Sequence, residues 1–248
     1  MKTMNIGLVG VGGMGSVHYA NYKEIEGCRV AAVCGSSKRA KETAEKWGIP
    51  CYPSIREMVE NCDIDIVDIC TPTYLHHDMV MESLDCGKDT ICEKPIALSL
   101  KDAKEMLDKA EQQGCMLYIA QVLQFTKEVE ILHRTVESGV YGKPLDACFE
   151  RLSACPRWAK DGWLFDVNKS GLLPYDLHIH DLDVIVSVFG KPEGYSITSC
   201  QGEDKNYPEQ IRINYDYGKL HVAAEAAWFN ADIPWTALLP TIWACWRR

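Results

Sequence analysis

Short apolar runs alternate with amphipathic segments over the first half of the chain. The apolar runs that predict strands are residues 4–9, 29–34, 64–70, 89–92 and 116–120. Between them, apolar residues recur at helical spacing, and one of these helices is bounded by Ser99 as its N-cap and by Gly114 at its end. Strands and helices that alternate in this way predict an α/β domain with a doubly wound parallel sheet, here over residues 1–122.

The pattern changes after residue 122. The elements predicted first are helices at 127–138 and 173–189 and a strand at 146–152. Apolar and polar residues then alternate with period two over 211–216, and a turn at Tyr217-Gly218 leads into a second alternating run. This pattern is typical of an antiparallel hairpin with one face in solvent. We therefore predict a second, α+β domain over residues 123–248 with an open, mostly antiparallel sheet.

A glycine-rich turn joins the first predicted strand to the first helix. Glycine at the first position allows a tight turn, at the second a close approach to a pyrophosphate, and at the third close packing of helix on strand. The N–H groups that begin the helix then point at anionic oxygens. A turn without function is the simpler alternative, but this strand–turn–helix context favours a Rossmann dinucleotide site. Its predicted residues are Gly10, Gly12, Gly13, Met14 and Gly15.

The end of the second predicted strand bears on the choice of dinucleotide. An NAD site usually carries an acidic residue there for the ribose 2′-hydroxyl. Residues 34–39 contain no carboxylate, and they place Ser36 and Ser37 before Lys38 and Arg39. Hydroxyls followed by cations suit a 2′-phosphate, with Arg39 or Lys38 pairing to it. We predict NADP rather than NAD, the alternative being that the two cations are the solvated first turn of a helix.

Composition limits the class of partner. The formal net charge of −9 argues against nucleic acid, whose binding depends on an excess of Lys and Arg. No apolar run reaches the length of about 18 residues that spans a bilayer, and the N-terminus has no signal-peptide pattern. The 12 cysteines are scattered without a C-x-x-C pair, which favours reduced thiols. We expect a cytoplasmic protein without a membrane or nucleic-acid partner.

Two further segments carry groups capable of chemistry. Lys94 follows a predicted strand at the carboxyl edge of the sheet, where ligands bind in such folds, although a surface lysine is the more ordinary interpretation. Asp176 and His180 are four residues apart on a predicted helix and share a face, which Asp183 continues. His178 is only two residues from His180, so a helical chelate is not expected. We predict no metal site, because nothing further completes a tetrahedral ligand set.

Five segments together make the chain resemble the glucose–fructose oxidoreductase / inositol dehydrogenase (Gfo/Idh/MocA) family. They are the glycine turn, residues 71–76 (TPTYLH), Glu93-Lys94-Pro95, Gly139-x-x-Gly142-Lys143-Pro144, and Gly171 with Asp176-x-x-x-His180-Asp181. The resemblance covers residues 4 to about 236. It implies NAD(P)-dependent chemistry on sugars, polyols or related compounds, and a second-domain sheet that forms homo-oligomers.

The resemblance also assigns residues to roles. It places Lys94, Asp176 and His180 in the catalytic positions. The predicted cofactor-binding set gains Thr71, Pro72, His76, Glu93 and Lys94. Relatives commonly carry a second glycine where this chain has Leu172, an aliphatic residue in place of Pro174, and arginine in place of Gln124. These departures bear on substrate contacts more than on the cofactor, and Pro174 is compatible with the first turn of a helix.

The hypothesis for the reaction is hydride transfer between nicotinamide and a secondary alcohol. An imidazole has an unperturbed pKa near about 6.5, so His180 can take the hydroxyl proton near neutral pH. Lys94 stabilises the alkoxide, and Asp176 binds a neighbouring hydroxyl or orients the site. For Lys94-Pro95 we predict a cis or sharply turned peptide. Trp158 and Trp163 either stack on a sugar or belong to the core under a long loop.

Two alternatives remain open at this point. One is a nucleotide-binding protein without turnover, a sensor or a partner subunit, which the short C-terminus favours. The other is an enzyme that uses NAD transiently with no net redox change, such as some glycosidases. The three catalytic positions all carry competent residues, which favours an oxidoreductase.

The C-terminal residues carry an expectation of their own. Four of the seven tryptophans lie in the last 21 residues, and residues 236–248 show neither period-two nor helical patterning. We expect a chain that is truncated or out of frame at its end, with a strand of the second sheet left exposed. The nucleotide domain should tolerate this, whereas the second domain should be unstable or depend on a partner chain.

Overall fold

The computed structural model describes residues 2–229 and 241–247. Contacts divide the chain into two compact units, Met1–Ala120 and Gln121–Arg248, which are called the first and second units below. No helix in these described residues is long and apolar enough to cross a bilayer. The 12 cysteines all lie in the described residues, and each is a free thiol.

The first unit alternates strands with helices, as the apolar pattern predicts. Its elements are β1 (Met4–Val9), α1 (Gly13–Glu24), β2 (Cys28–Cys34), α2 (Lys38–Trp47), β3 (Cys51–Tyr52), α3 (Ile55–Asn61), β4 (Ile66–Ile69), α4 (His76–Asp85), β5 (Asp89–Glu93), α5 (Leu100–Gln113) and β6 (Leu117–Ala120). Side chains of Ser37, Ser54 and Ser99 cap α2, α3 and α5, each accepting a backbone N–H of the first turn. Gly48 and Gly114 end α2 and α5 in the left-handed conformation.

The six strands form one parallel sheet in the order β3-β2-β1-β4-β5-β6. Strand order therefore reverses between β1 and β4, and in open α/β sheets ligands bind at the carboxyl ends of the strands beside such a reversal. All residues of β1 after Met4 are buried, as expected for a strand covered on both faces. The predicted doubly wound sheet is confirmed.

The second unit combines helices with a separate five-stranded sheet. Its elements are α6 (Lys127–Ser138), β7 (Lys143–Ala154), α7 (Val167–Ser170), α8 (Ile179–Phe189), β8 (Gly194–Cys200), β9 (Gln210–Tyr217), β10 (Leu220–Phe229) and β11 (Thr241–Arg247). The order is β11-β7-β10-β9-β8, with β7–β10 parallel and the other three pairings antiparallel. The predicted mostly antiparallel sheet is confirmed.

The hairpin of β9 and β10 shows why the period-two pattern was informative. Ile211, Ile213 and Tyr215 are buried on one face, and the residues between them are exposed on the other. The buried face packs against a core that includes Phe149 of β7 and Ile185 of α8. In this hairpin one face is therefore covered, and β9 presents polar residues on the other.

Two segments of the second unit differ in detail from their sequence patterns. The predicted helix at 173–189 is present, and Pro174–His178 form a π-helical turn within it, directly before the α-helix Ile179–Phe189. Residues 241–247, which lack a recognisable pattern, form strand β11 along β7, and alternate residues Ile242 and Ala244 pack against the core. Residues 230–240, which also belong to the end expected to be anomalous, lie outside the described residues.

Candidate functional site

The glycine turn lies at the sheet's reversal point. Gly10 has φ +91°, its N–H donates to the Cys34 carbonyl at 3.1 Å, and the neighbouring Cys70 N–H donates to Val9. A Cβ on Gly10 would lie 2.7 Å from the Cys70 carbonyl oxygen, and one on Gly15 would overlap the Gly10 carbonyl oxygen. Both positions therefore require glycine. Gly10 requires it for its backbone conformation and its packing, and Gly15 requires it for the packing of α1 on the turn.

Gly12 and Gly13 play a different part. Gly12 is the N-cap of α1 and has an ordinary φ of −70°. No side chain caps this end of the helix, and its first turn contains no acidic residue. A Cβ on either glycine would meet no atom within 4 Å. The helix therefore presents its first N–H groups to open space, which suits an anionic pyrophosphate. Met14 follows on the same turn and is 46% exposed.

Thr71 supplies a second observation in favour of a bound dinucleotide. It follows β4, directly beside the turn, since its methyl carbon Cγ2 would lie 3.2 Å from a Cβ on Gly10. Its hydroxyl oxygen is buried and has no hydrogen-bond partner within the described residues. Buried hydroxyls normally have a partner, so this one fits a site completed by a ligand. The residues present at this edge therefore fit a dinucleotide.

Gly12 gives a clean test of this cradle. Gly12→Ala is compatible with the observed φ and clashes with nothing, so the protein should fold normally while the added methyl group occupies the space of the pyrophosphate. We expect dinucleotide affinity to fall roughly 10- to 100-fold, about 1.4–2.7 kcal/mol. Gly194→Ala is the control, because Gly194 also has open space around its Cβ position but lies in β8. Equal affinities of the two variants, measured by calorimetric titration, would contradict the assignment.

The end of β2 carries the residues expected to select the dinucleotide. Ser36, Ser37, Lys38 and Arg39 are all exposed. Ser37 caps α2, since its oxygen accepts the Ala40 N–H at 3.1 Å, and its own O–H remains a donor. Lys38 lies 3.6 Å from Glu42 as an exposed ion pair. Lys38 and Arg39 do lie in the first turn of a helix, as the alternative interpretation states. That position does not exclude contact with a phosphate.

The loop that carries Lys94 follows β5 at the same edge of the sheet. The Lys94–Pro95 peptide is cis, as predicted. The buried ring of His76 lies between two backbone carbonyls, with Nδ1 2.8 Å from Pro95 O and Nε2 3.0 Å from Thr71 O. His76 therefore joins the loop to the end of β4. Burial lowers the pKa of His76, while the two carbonyl contacts oppose that shift. Pro72, between Thr71 and His76, caps the short 3-10 helix that leads into α4.

A buried polar cluster behind this loop was missed by the sequence analysis. His18 of α1 lies 2.8 Å from Asp68 of β4 through Nδ1 and 3.1 Å from Glu93 of β5 through Nε2. The Asp68 carboxylate also accepts from the Tyr22 hydroxyl at 3.0 Å, and the Cys70 sulfur is 3.3 Å from His18 Nδ1. The signal available in the sequence was an acidic residue inside an otherwise apolar strand, which needs a buried partner.

The charge state of this cluster follows from its donors and acceptors. When both carboxylates are ionised they can only accept hydrogen bonds, and in that state both nitrogens of His18 donate and the ring is an imidazolium. Burial alone would lower the pKa of His18, but the hydrogen bonds to Asp68, Cys70 and Glu93 outweigh it and raise the pKa to about 12. Burial raises the pKa of the Cys70 thiol to about 12 as well. The cluster therefore holds a cation between two carboxylates beside a neutral thiol.

Two groups of side chains in the described residues have metal-ligating atoms within 4.8 Å of one another. They are His18, Asp68 and Cys70, and His77, Asp102 and Glu105. In the first group the atoms are hydrogen-bonded to each other. In the second, His77 pairs with Glu105 at 3.2 Å. The first arrangement is thus explained by hydrogen bonds among its own side chains, and in the second His77 and Glu105 pair with each other.

The second unit places the other two predicted catalytic residues close in sequence and on adjoining elements. Asp176 lies within the π-helical turn and His180 is the second residue of α8; both are half-buried. His178 is buried and its Nε2 lies 2.6 Å from the Tyr215 hydroxyl. Burial, with Arg151 nearby, lowers the pKa of His178 to about 4, so this ring is neutral. It belongs to the core, apart from His180.

Asp181 and Asp183 differ in their partners. Asp181 is buried and receives two hydrogen bonds from Arg151 of β7, at 2.7 and 2.8 Å. Burial raises the pKa of Asp181, although the Arg151 hydrogen bonds oppose this shift. Asp183 accepts from the Gln124 side chain at 2.5 Å. Gln124 thus ties the segment before α6 to α8.

Leu172 lies in a backbone conformation that its side chain disfavours. It has φ +61°, the left-handed conformation that favours glycine, and its neighbour Gly171 has φ +72°. A leucine meets a steric cost of about 1–2 kcal/mol there, which a glycine would avoid. The Leu172 side chain packs against the core of the second unit, which offsets part of that cost. Pro174 lies in the first turn, as expected.

The two tryptophans of the long loop behave differently. Trp158 is 75% exposed, which excludes the interpretation that it is core. Trp163 is half-buried. The contacts within the second unit do not indicate a ligand-binding role for either tryptophan.

A parallel sheet with a glycine turn at its reversal point, and a separate open sheet, define a Rossmann-type protein with a second α+β domain. Residues 4–121 match the model of the GFO_IDH_MocA family, described as an oxidoreductase family with an NAD-binding Rossmann fold. This match lies within the first unit, so the chain is similar to the family over that part of its length.

Relatives and solved structures agree with this match. The chain is 28% identical to a myo-inositol 2-dehydrogenase of Thermotoga maritima, over 76% of this chain and 55% of the relative. It is 30% identical to a 2,7-anhydro-N-acetylneuraminate hydratase of Mediterraneibacter gnavus, over 80% and 53%. Its fold matches an oxidoreductase structure from Agrobacterium radiobacter with a TM-score of 0.86 at 21% identity, over 97% of this chain and 71% of that one. The chain thus spans about half the length of these curated relatives.

Proposed function

We propose that the protein is an NAD(P)-dependent oxidoreductase that moves hydride between nicotinamide and a secondary alcohol carbon of a sugar, polyol or related compound. The observation that carries the proposal is the cradle at the sheet's reversal point. It combines open glycines with a Thr71 hydroxyl that has no partner among the described residues, and His76 joins Thr71 to the loop of Lys94. The names of relatives support the reaction class, since they include a myo-inositol 2-dehydrogenase and a D-apiose dehydrogenase.

Each of the proposed catalytic residues has one task. When bound, the nicotinamide supplies the site that accepts or donates hydride. His180 accepts the proton that the substrate hydroxyl loses, a role suited to an imidazole near neutral pH. Lys94 donates a hydrogen bond to the same oxygen and stabilises its developing negative charge. Asp176 accepts from a neighbouring hydroxyl and so fixes the orientation of the substrate.

The bound dinucleotide is held by the residues of the first unit. The N–H groups that follow Gly12 and Gly13 face the pyrophosphate, and Gly10 and Gly15 give the turn its shape. The proposed set is completed by Met14, Thr71, Pro72, His76 and Glu93. Of these, His76 and Glu93 act through the backbone groups of the loop that they bind. The sheet of the second unit is proposed as a homo-oligomer surface. Free thiols fit a cytoplasmic location.

A panel assay tests the proposal. Oxidised or reduced cofactor is incubated with the purified chain and a series of sugars and polyols, and the nicotinamide absorbance is followed. Formation or consumption of NAD(P)H with at least one compound supports an oxidoreductase. Tight binding without turnover supports the alternative of a sensor or partner subunit.

One specific observation favours a second candidate function. A relative at 30% identity is named a hydratase, and hydration causes no net oxidation or reduction. An enzyme that uses its cofactor only transiently would convert substrate while the ratio of oxidised to reduced cofactor stays unchanged. Product analysis by mass spectrometry, run beside the absorbance assay, distinguishes this outcome.

We also infer a preference for NADP over NAD. The exposed guanidinium of Arg39 is the strongest candidate for pairing with a 2′-phosphate, because Lys38 already lies beside Glu42. Arg39→Ala should weaken NADP binding about 10-fold and leave NAD binding unchanged. Arg56→Ala is a control at an exposed cation of α3. Equal or tighter binding of NAD than NADP by the unsubstituted protein at low salt would contradict the preference.

A further inference from the structure

The buried side chain of Glu93 links the backbone of Lys94 to α1. Glu93 is 6% exposed, and its two carboxylate oxygens bind different groups. Oε2 accepts the backbone N–H of Lys94 at 3.1 Å, and Oε1 accepts from His18 Nε2 at 3.1 Å. The position of the Glu93 carboxylate therefore depends on His18, and the position of the Lys94 N–H depends on Glu93.

His18 is itself fixed from its other side. Its Nδ1 donates to Asp68 at 2.8 Å, and Asp68 is held in turn by the Tyr22 hydroxyl and the Cys70 thiol. Asp68 and Glu93 are both buried, and a buried carboxylate without a partner is costly. One imidazolium offsets both carboxylates at once. The groups that face His18 are thus Asp68, Glu93, Cys70 and Tyr22.

The far side of the same loop is held by another histidine, His76, which is buried. His76 of α4 contacts the Pro95 carbonyl at 2.8 Å, one residue beyond Lys94. The residue that carries the proposed catalytic ammonium is therefore held on its N-terminal side by His18 through Glu93 and on its C-terminal side by His76. Lysine has a flexible four-carbon stem, so a fixed backbone restricts where its ammonium group can reach.

We propose that His18 is a positioning residue for Lys94: as an imidazolium it holds the Glu93 carboxylate, which in turn fixes the backbone N–H of Lys94. The importance of Lys94 rests on the proposed function, whereas the link itself rests on the contacts of the first unit. Loss of the His18 charge frees Glu93 to rotate and loosens the backbone of Lys94.

Amide hydrogen exchange at Lys94, followed by NMR on the full chain, measures the link without any turnover. His18→Gln should make the Lys94 amide exchange about 10-fold faster or more, as a local opening. In a Glu93→Gln background, His18→Gln should add little, because the connection is already weakened. His77→Gln is the matched control: His77 also lies between two carboxylates, Asp78 and Glu105, in the same unit. It should leave Lys94 unchanged.

The outcomes separate the proposal from its alternatives. Unchanged Lys94 exchange in a folded His18→Gln protein overturns it, as does an equal effect of His18→Gln with and without Glu93→Gln. If the His18→Gln protein does not fold, the test is made on the unsubstituted protein by measuring the ¹⁵N chemical shifts of the His18 imidazole. Both ring nitrogens of His18 should carry protons at pH 8, and a neutral ring overturns the proposal.

A kinetic readout connects the link to the reaction. In an active protein, His18→Gln should lower kcat and change the KM for dinucleotide less than about two-fold, since the glycine turn is untouched. A rise in KM with unchanged kcat would contradict positioning of Lys94. If no substrate is turned over, the hydrogen-exchange experiment still tests the role of His18 by itself. Failure of the proposed function is therefore distinguishable from failure of this inference.

Discussion

A Lys94→Met variant should lose about 10²–10³-fold in kcat, the usual effect of removing one donor to a developing oxyanion. Methionine keeps the length and apolar stem of lysine and removes only the ammonium group. The loop itself should persist, because its contacts through Glu93 and His76 involve backbone atoms. Dinucleotide affinity should therefore fall far less than kcat. Initial rates at saturating dinucleotide, with a substrate from the panel, provide the measurement.

Lys88→Met is the matched control for this prediction. Lys88 precedes β5 as Lys94 follows it, and its ammonium donates to the Ile64 carbonyl at 2.8 Å. Loss of that contact should leave kcat within about two-fold of the unsubstituted protein. In the Lys94→Met variant, kcat/KM should still depend on an ionisation between about pH 5 and 9 that belongs to His180. A flat profile in both proteins would contradict His180 as the base.

The largest expected effect on stability comes from Arg151→Met in the second unit. Arg151 donates two hydrogen bonds to Asp181, whose carboxylate is 2% exposed. Removing the guanidinium leaves a buried charge without its partner, which should lower the free energy of unfolding by about 3–5 kcal/mol. Burial already raises the pKa of Asp181, and without Arg151 the shift grows. The loss should therefore be larger at pH 8 than at pH 5, where protonation relieves the buried charge.

Lys127→Met provides the comparison. Lys127 lies 2.7 Å from Glu130 in the same unit, but both side chains are exposed. Exposed pairs contribute about 0–1 kcal/mol, so this variant should unfold near the unsubstituted midpoint in urea. Similar losses in the two variants, or a loss in Arg151→Met that does not change with pH, would show that burial of the Asp181 charge is not the cause.

Sequence reasoning succeeded where a local pattern determines the structure. Gly10 and Gly15 lie in a turn that only glycine can form, and the alternation from Ile211 to Asp216 repeats the pleat of β9. Side-chain caps such as Ser99 also act within one turn of the helix that they begin. In each case the residues that matter are neighbours in the chain.

It failed where contacts join distant segments. His18 receives its role from Asp68 and Glu93, which lie 50 and 75 residues away. An acidic residue inside an apolar strand signals that a buried partner exists, but no local pattern identifies His18 as that partner. Strand β11 has no alternation of its own and is defined by pairing with β7. The π-helical turn at Pro174–His178 has the composition of an ordinary helix start, and Leu172 adopts a conformation that its side chain disfavours.

The most direct test of the central claim is the transfer of a substrate hydrogen to the cofactor. A polyol or sugar that is active in the panel is prepared with deuterium on the reacting carbon and incubated with the protein and oxidised dinucleotide. Mass spectrometry of the recovered cofactor should show one deuterium in each reduced molecule, because hydride moves from carbon to nicotinamide. Reduced cofactor without deuterium, or deuterium retained on the substrate while dinucleotide remains bound and oxidised, would contradict the proposed reaction.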